Sequence, residues 1–163
     1  MDTLDIANYI IAKSDNVGDL ITNKKLQKIL YYVKAWGVVY FDDGVINDDF
    51  EAWIHGPVCS SVYQEYKHFE YKPLSIDYKC LSSSQYINNF KSKFGITQKE
   101  KDKIEMIDAV FNKYATLTSF QLELLTHSEM PWIEAREGLS PIENSSNIIK
   151  EETMKNFYSN KRK

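Results

Sequence analysis

The sequence predicts a mainly α-helical fold, with one compact domain built from several helices. Apolar residues recur at intervals of three and four over much of the 163-residue chain, as they do on the buried face of a helix. Two capping boxes, which open at Thr97 and Thr118, mark helix starts in the C-terminal half. Around residues 41–54 this pattern gives way to looser alternation about an Asp43-Gly44 turn, which predicts a small β-hairpin or extended element.

Two helices are predicted before this element. The first covers residues 3–13 and is capped by Asp2 or Thr3. The second covers residues 22–40, with Thr22 as its N-cap. One stripe of this second helix is predicted to face the core, and it consists of Leu26, Ile29, Leu30, Val33, Gly37 and Tyr40.

The opposite face of the second helix carries Lys24, Lys28, Tyr31 and Ala35. A tyrosine between lysines is unusual on a face that meets only water, whereas tyrosine is enriched at the centres of protein interfaces. We therefore predict that this face points outward and that Lys24, Lys28 and Tyr31 contact a protein partner. The alternative is a merely solvated face.

The remaining elements are predicted from caps and helix breakers. His55-Gly56-Pro57 is expected to close the extended element, with Pro57 at the first position of a third helix that ends before Pro73. Residues 70–95 are compatible with a short helix capped by Ser82 or with an irregular loop. Further helices are predicted at residues 97–114, 118–127, 128–136 and 151–158.

Length, charge and the N-terminal sequence limit the class of protein. We expect one domain over residues 1–158, followed by a short basic tail at residues 159–163. The formal net charge of -3 disfavours a broad phosphate-tracking surface, so nucleic-acid binding is not expected. The N-terminus is acidic where a signal peptide is basic, and no apolar run is long enough to span a membrane. We therefore expect a cytoplasmic protein without a membrane segment.

No catalytic residue, metal-ligand set or cofactor motif is predicted. The three histidines, His55, His68 and His127, do not form the His-x-x-x-His pair of a helical metal site. Cys59 follows His55 by four residues, so it is either a nucleophile with a histidine base or a small buried core residue. The chain also has no Gly-rich phosphate loop. These observations favour a binding protein over an enzyme.

Three segments together resemble a known family. They are residues 22–36, 51–63 and 125–136, which include Ala-Trp-x-x-Gly-Pro-Val followed by Thr-His-x-Glu-x-Pro-Trp. In this order and spacing they resemble the Panacea domain of SocA-like antitoxins, also found in phage-associated GepA-type proteins. The resemblance implies a mostly helical domain that binds a cognate protein toxin and neutralises it. Toxins of this family include translation-blocking proteins related to small alarmone synthetases.

The resemblance also implies structural roles for the motif residues. Trp53, Pro57 and Trp132 are expected to pin the extended element and the last helices to the central helix. His127 and Glu129 are expected to bond backbone groups at a break between helices. The full set of motif residues is Trp53, Gly56, Pro57, His127, Glu129, Pro131 and Trp132.

Two other functions remain open at this point. One branch of the family acts as an adaptor that delivers its toxin to a cytoplasmic protease. A hydrolase based on Cys59 and His55 is the further alternative. A homodimer is compatible with each of these functions.

Overall fold

The computed structural model describes residues 1–162, which contain eight α-helices and two short β-strands. A single 3₁₀ turn, Lys67–Phe69, follows the third helix. In chain order the elements are α1 (Thr3–Asn16), α2 (Asn23–Tyr40), β1 (Glu51–Trp53), β2 (Gly56–Val58), α3 (Ser60–Tyr66), α4 (Ser83–Phe94), α5 (Gln98–Tyr114), α6 (Ser119–His127), α7 (Met130–Ala135) and α8 (Glu151–Lys161). The predicted fold class, mainly helical with one small antiparallel element, is confirmed.

Helix α2 is the centre of the fold. It packs against α1, α3, α5, α6, α8 and β2, and every residue from Leu26 to Gly37 is buried. The predicted inward stripe is buried except at Tyr40, which is 46% exposed at the end of the helix. The predicted outward face is wrong at Lys28, Tyr31 and Ala35, which are buried, whereas Lys24 is exposed as predicted. From Leu26 to Gly37 other elements enclose the helix on all sides, so this part of α2 has no solvent face, whatever the pattern of its sequence.

N-cap residues recognised in the sequence correctly predict where most helices start. The side chains of Asp2, Thr22, Ser82, Thr97 and Thr118 each accept a hydrogen bond from the backbone N–H three residues further on. Of the two alternatives for residues 70–95, the helix capped by Ser82 is present as α4. Such caps can be read from the sequence because both bonding partners lie within four consecutive residues.

Helix α8 is longer than predicted. It continues to Lys161, so residues 159–161 are helical and do not form a tail. The helix buries Met154 and Tyr158 against α2. At its end, Lys161 Nζ donates to Glu129 Oε1 over 2.8 Å, which ties the last turn to the segment between α6 and α7.

The small sheet lies further along the chain than its predicted turn. Asp43-Gly44 does form a turn, with the Gly44 N–H bonded to the Phe41 carbonyl at 2.9 Å, but it joins no strands. Instead β1 pairs with β2 across a two-residue turn, with Trp53 opposite Gly56 and Ala52 opposite Pro57. The segment between α7 and α8 runs along the edge of β1 that faces away from β2, where the Ala52 N–H donates to the Asn147 carbonyl over 2.8 Å.

Pro57 lies inside β2, which corrects its predicted place at the start of a helix. The position tolerates proline because Ala52 and Pro57 form a pair whose polar backbone atoms point away from each other. The N–H and carbonyl of Ala52 bond to Asn147 and Arg136, and the Pro57 carbonyl bonds to Lys28. No ladder hydrogen bond therefore requires a Pro57 N–H.

Candidate functional site

The segments that carry the sequence motif converge on the β1–β2 hairpin. Trp132 Nε1 donates to the Trp53 carbonyl over 3.0 Å, and the His127 ring stacks on the Trp132 ring with centroids 4.0 Å apart. The Trp53 ring packs edge-on against Tyr63, with centroids 4.9 Å apart. These contacts hold α3, α6 and α7 against the hairpin.

Arg136 connects β1 to the loop that follows α7. It is buried, and its guanidinium donates to the carbonyls of Ala52, Ser140 and Glu143 over 2.8, 3.2 and 2.6 Å. The guanidinium also lies 5.2 Å from the centre of the Trp132 ring. The loop that leaves α7 is thereby bound to β1.

Polar side chains of α2 form hydrogen bonds with the backbone of β2 and of Cys59, which follows it. Gln27 accepts a hydrogen bond from the Cys59 N–H at 2.9 Å, and Lys28 Nζ donates to the Pro57 carbonyl over 3.2 Å. Lys28 is 1% exposed. Burial lowers the pKa of Lys28 from 10.5 to about 7, against a smaller opposing effect of Glu123. The buried polar groups of α2 thus fix the position of the hairpin.

Gly56 allows this close approach of α2 and the hairpin. Its φ is +99°, a conformation that disfavours side chains. A Cβ atom at this position would lie 2.5 Å from Lys28 Cε and 2.9 Å from Thr126 Oγ1. Both the backbone and the available space therefore require glycine here.

Glu123 connects the hairpin turn to the start of α2 at the surface. Its carboxylate pairs with Lys24 and accepts from His55 Nδ1, the latter over 2.9 Å. Burial alone would raise the pKa of Glu123, but the hydrogen bonds from Lys24 and His55 outweigh it and lower that pKa. The side chains of His55 and Lys24 are 72% and 41% exposed. Of the three residues predicted to contact a partner, Lys24 is therefore the one at the surface.

An apolar surface lies beside this charged cluster. Phe120 and Leu124 are one turn apart on α6, on either side of Glu123 in sequence, and are 63% and 53% exposed. On α7, Met130 and Ile133 are 52% and 42% exposed. Sequence reasoning missed these residues, although the buried positions of α6, Leu122 and Thr126, leave Phe120 and Leu124 on its other side.

We call the surface formed by Lys24, His55, Phe120 and Leu124 the hairpin–α6 face. Next to it, a groove of about 590 Å³ runs between the hairpin and residues 144–146. Trp53 and His55 line the groove on the hairpin side. This part of the molecule thus has exposed apolar side chains, exposed charged side chains and a groove close together. Motif residues, most of them buried, lie underneath.

Glu129 has a different role from the one predicted for it. Its buried carboxylate accepts from the hydroxyl of Tyr32 at 2.9 Å, from the hydroxyl of Tyr158 and from Lys161 Nζ, so its partners are side chains and not backbone groups. Tyr31 belongs to the same cluster, with its ring edge-on to Tyr32 at 5.4 Å. Tyr31 therefore lies in the core between α2 and α8.

The structure gives Cys59 and His55 separate partners. Cys59 is the buried N-cap residue of α3, and its Sγ lies 3.3 Å from Ser61 Oγ. His55 points at Glu123. Among residues 1–162 no three His, Cys, Asp or Glu side chains are grouped so that they could hold a metal ion. In the same part of the chain, no helix combines the length and hydrophobicity that crossing a membrane requires.

Comparison with known proteins identifies the family. The family model described as "Antitoxin SocA-like, Panacea domain" matches residues 26–133. The match begins in α2, includes the hairpin and ends in α7, so it contains the bond from Trp132 to Trp53 and the contacts of Gln27 and Lys28 with the hairpin. No curated protein and no solved structure matches the chain. Because the family model covers well over half of its length, the chain belongs to the SocA-like, Panacea-domain family.

Proposed function

We propose that this protein is an antitoxin that neutralises a cognate protein toxin by binding it directly. Family membership is the observation that carries the proposal. The geometry supports it, because the motif residues are mostly buried and hold a preformed surface on the hairpin and α6. A preformed surface loses less conformational freedom on binding, which favours tight association.

The hairpin–α6 face is the proposed toxin contact. It combines two exposed apolar side chains, Phe120 and Leu124, with the Lys24–Glu123–His55 cluster. Protein interfaces pair an apolar centre with a polar rim in this way. Lys24 keeps its predicted role as a contact, whereas Lys28 is buried beneath the hairpin and Tyr31 lies in the core between α2 and α8.

Co-expression with the toxin encoded by the adjacent gene tests the proposal. We expect the protein to restore growth and to co-purify with the toxin as a complex. A direct block predicts the same rescue in a host that lacks its cytoplasmic proteases. Rescue that disappears in that host would favour delivery to a protease, and failure of both rescue and co-purification would refute the antitoxin function.

Substitution of Leu124 tests the position of the contact. Leu124→Asp puts a charge in the apolar part of the hairpin–α6 face, and the exposure of the site spares the fold. We expect toxin binding to weaken at least tenfold, which corresponds to about 1.4 kcal/mol. Ile96→Asp is the matched control, because Ile96 is 76% exposed and lies between α4 and α5. Equal toxin affinity of the two variants would place the contact elsewhere.

A further inference from the structure

A second concave surface lies at the opposite end of α2 from the hairpin. We call it the basic–aromatic cleft, and it is formed by Trp36, Tyr40, Ala109, Lys113 and Arg162. Its volume is about 290 Å³. The end of α2, the C-terminal half of α5 and the end of α8 form its walls. An 18-residue helix spans roughly 27 Å, so the cleft is well separated from the hairpin–α6 face.

The floor of the cleft is aromatic and fixed. The rings of Trp36 and Tyr40 stack with centroids 5.9 Å apart and an angle of 26° between their planes. Trp36 Nε1 donates to the hydroxyl of Tyr114 over 3.1 Å, which holds the indole in place. Tyr40 is 46% exposed. The cleft thus offers an aromatic face to a ligand without rearrangement of the core.

The rim of the cleft is positively charged. Lys113 Nζ lies 5.6 Å from the centre of the Trp36 ring, and Arg162 Cζ lies 4.8 Å from that of Tyr40. Lys161 also lines the cleft, but Glu129 neutralises it. Within residues 1–162 no carboxylate lies within 4.0 Å of Lys113 or Arg162. In a chain with a net charge of -3, these two cations form a local positive site.

We propose that the basic–aromatic cleft binds an acidic segment of the partner protein, with one aromatic or large apolar side chain packed beside Tyr40 and Arg162. Carboxylates beside that side chain pair with Lys113 and Arg162. The inference rests on the proposed function, because it takes the partner to be a protein toxin. It adds a second contact, remote from the hairpin–α6 face, and specifies its chemistry.

The size of the cleft favours a side chain over a small molecule. Pockets for small ligands and cofactors usually measure about 300–1,000 Å³ and bury most of the ligand. At about 290 Å³ the basic–aromatic cleft lies at the lower limit of this range and is open to solvent, which suits one large side chain of a longer segment. Aromatic and arginine side chains are also the residues that most often dominate the energy of protein interfaces.

A defined peptide tests the chemistry of the cleft. The probe is a fluorescein-labelled peptide with one tryptophan between two runs of three glutamates, titrated with the full chain at low salt. We expect saturable binding, and at least tenfold weaker binding when glycine replaces the tryptophan or lysines replace the glutamates. Absence of binding, or equal binding of the three peptides, would overturn the inference. Displacement of the peptide by ATP at lower concentration than by unlabelled peptide would also overturn it, in favour of a nucleotide site.

Two pairs of variants locate the bound peptide. Lys113→Glu reverses a rim charge, and Ala109→Glu places a carboxylate in the cleft at an exposed helical position. Their controls are Lys101→Glu and Asn112→Glu, which make the same charge changes at exposed positions of α5 outside the cleft. We expect at least tenfold weaker peptide binding for each cleft variant and an unchanged affinity for each control. Because Ala109 is exposed, this variant keeps the test valid even where Lys113→Glu disturbs folding.

Toxin neutralisation by the same variants separates this inference from the proposed function. If the wild-type protein neutralises its toxin and both cleft variants bind that toxin with unchanged affinity, the inference fails and the antitoxin function stands. If the wild-type protein does not neutralise the toxin, the antitoxin function fails. The peptide titration alone then shows whether the cleft binds an acidic segment. Weaker toxin binding by the cleft variants, with normal binding by both controls, supports the inference.

Discussion

The buried lysine of α2 makes the stability of this protein depend on pH. The folded state lowers the pKa of Lys28 from 10.5 to about 7, with burial as the main cause. Below pH 7 the Lys28 ammonium is charged in both the folded and the unfolded protein. Burying this charge then lowers the free energy of unfolding by its full amount. Between pH 7 and 10.5 the unfolded chain binds more protons than the folded chain, so stability rises with pH. From pH 7 to pH 9 these two pKa values give an increase of about 2 kcal/mol.

Urea unfolding of Lys28→Met measures this effect. Methionine keeps an unbranched apolar side chain at the site but has no titrating group. We expect the free energy of unfolding of the wild-type protein to rise by about 2 kcal/mol from pH 7 to pH 9 relative to that of Lys28→Met. The lost hydrogen bond to Pro57 adds an offset that does not vary with pH in this range.

The quantity compared at each pH is the difference in the free energy of unfolding between the wild-type protein and Lys28→Met. Groups that titrate in both proteins cancel in it, and pH 9 lies below the ionisation of the buried tyrosines, whose pKa values burial raises. Lys101→Met, which removes an exposed lysine of α5, is expected to follow the wild-type curve. A constant difference between wild type and Lys28→Met across the pH range would refute the argument that Lys28 carries the pH dependence.

Two further substitutions test the buried framework by chemical denaturation. Gly56→Ala is expected to lower the free energy of unfolding by about 2–5 kcal/mol, because backbone strain at positive φ adds to the clash with Lys28. Gly138→Ala also has a positive φ but meets no atom within 4 Å, so a loss as large as that of Gly56→Ala would contradict the steric argument. Glu129→Ala is expected to cost about 3–5 kcal/mol, because it leaves two buried tyrosine hydroxyls and an ammonium without their acceptor. Exposed Glu137→Ala is expected to change stability by less than about 0.5 kcal/mol, and similar values for both glutamates would show that the buried carboxylate contributes little.

The helices and their starts could be predicted because their signals are local. The capping bonds of Ser82, Thr97 and Thr118 each join residues that are three apart in the chain. The family could also be inferred, because its motif residues make backbone and ring contacts that need particular side chains. Gly56 illustrates this, since its close contact with Lys28 permits no other residue without strain.

The surface could not be predicted, because exposure depends on which elements cover a residue. Lys28 and Tyr31 occupy the more polar side of α2, yet the hairpin, α6 and α8 enclose that side as well. The hairpin register was also beyond sequence reasoning. A proline within a strand is tolerated only at a position whose N–H is not needed, and that follows from pairing with Ala52.

The sequence by itself determined a helical domain, most of its helix starts and the family to which it belongs, since all three depend on residues at fixed short spacings. Only the tertiary structure decided which side chains remain available to a partner. It buried two of the three predicted contact residues and exposed Phe120 and Leu124. It also brought together Tyr40 of α2, Lys113 of α5 and Arg162, the residue that follows α8. Burial and proximity are properties of the packed chain, because they depend on contacts between residues that are far apart in sequence.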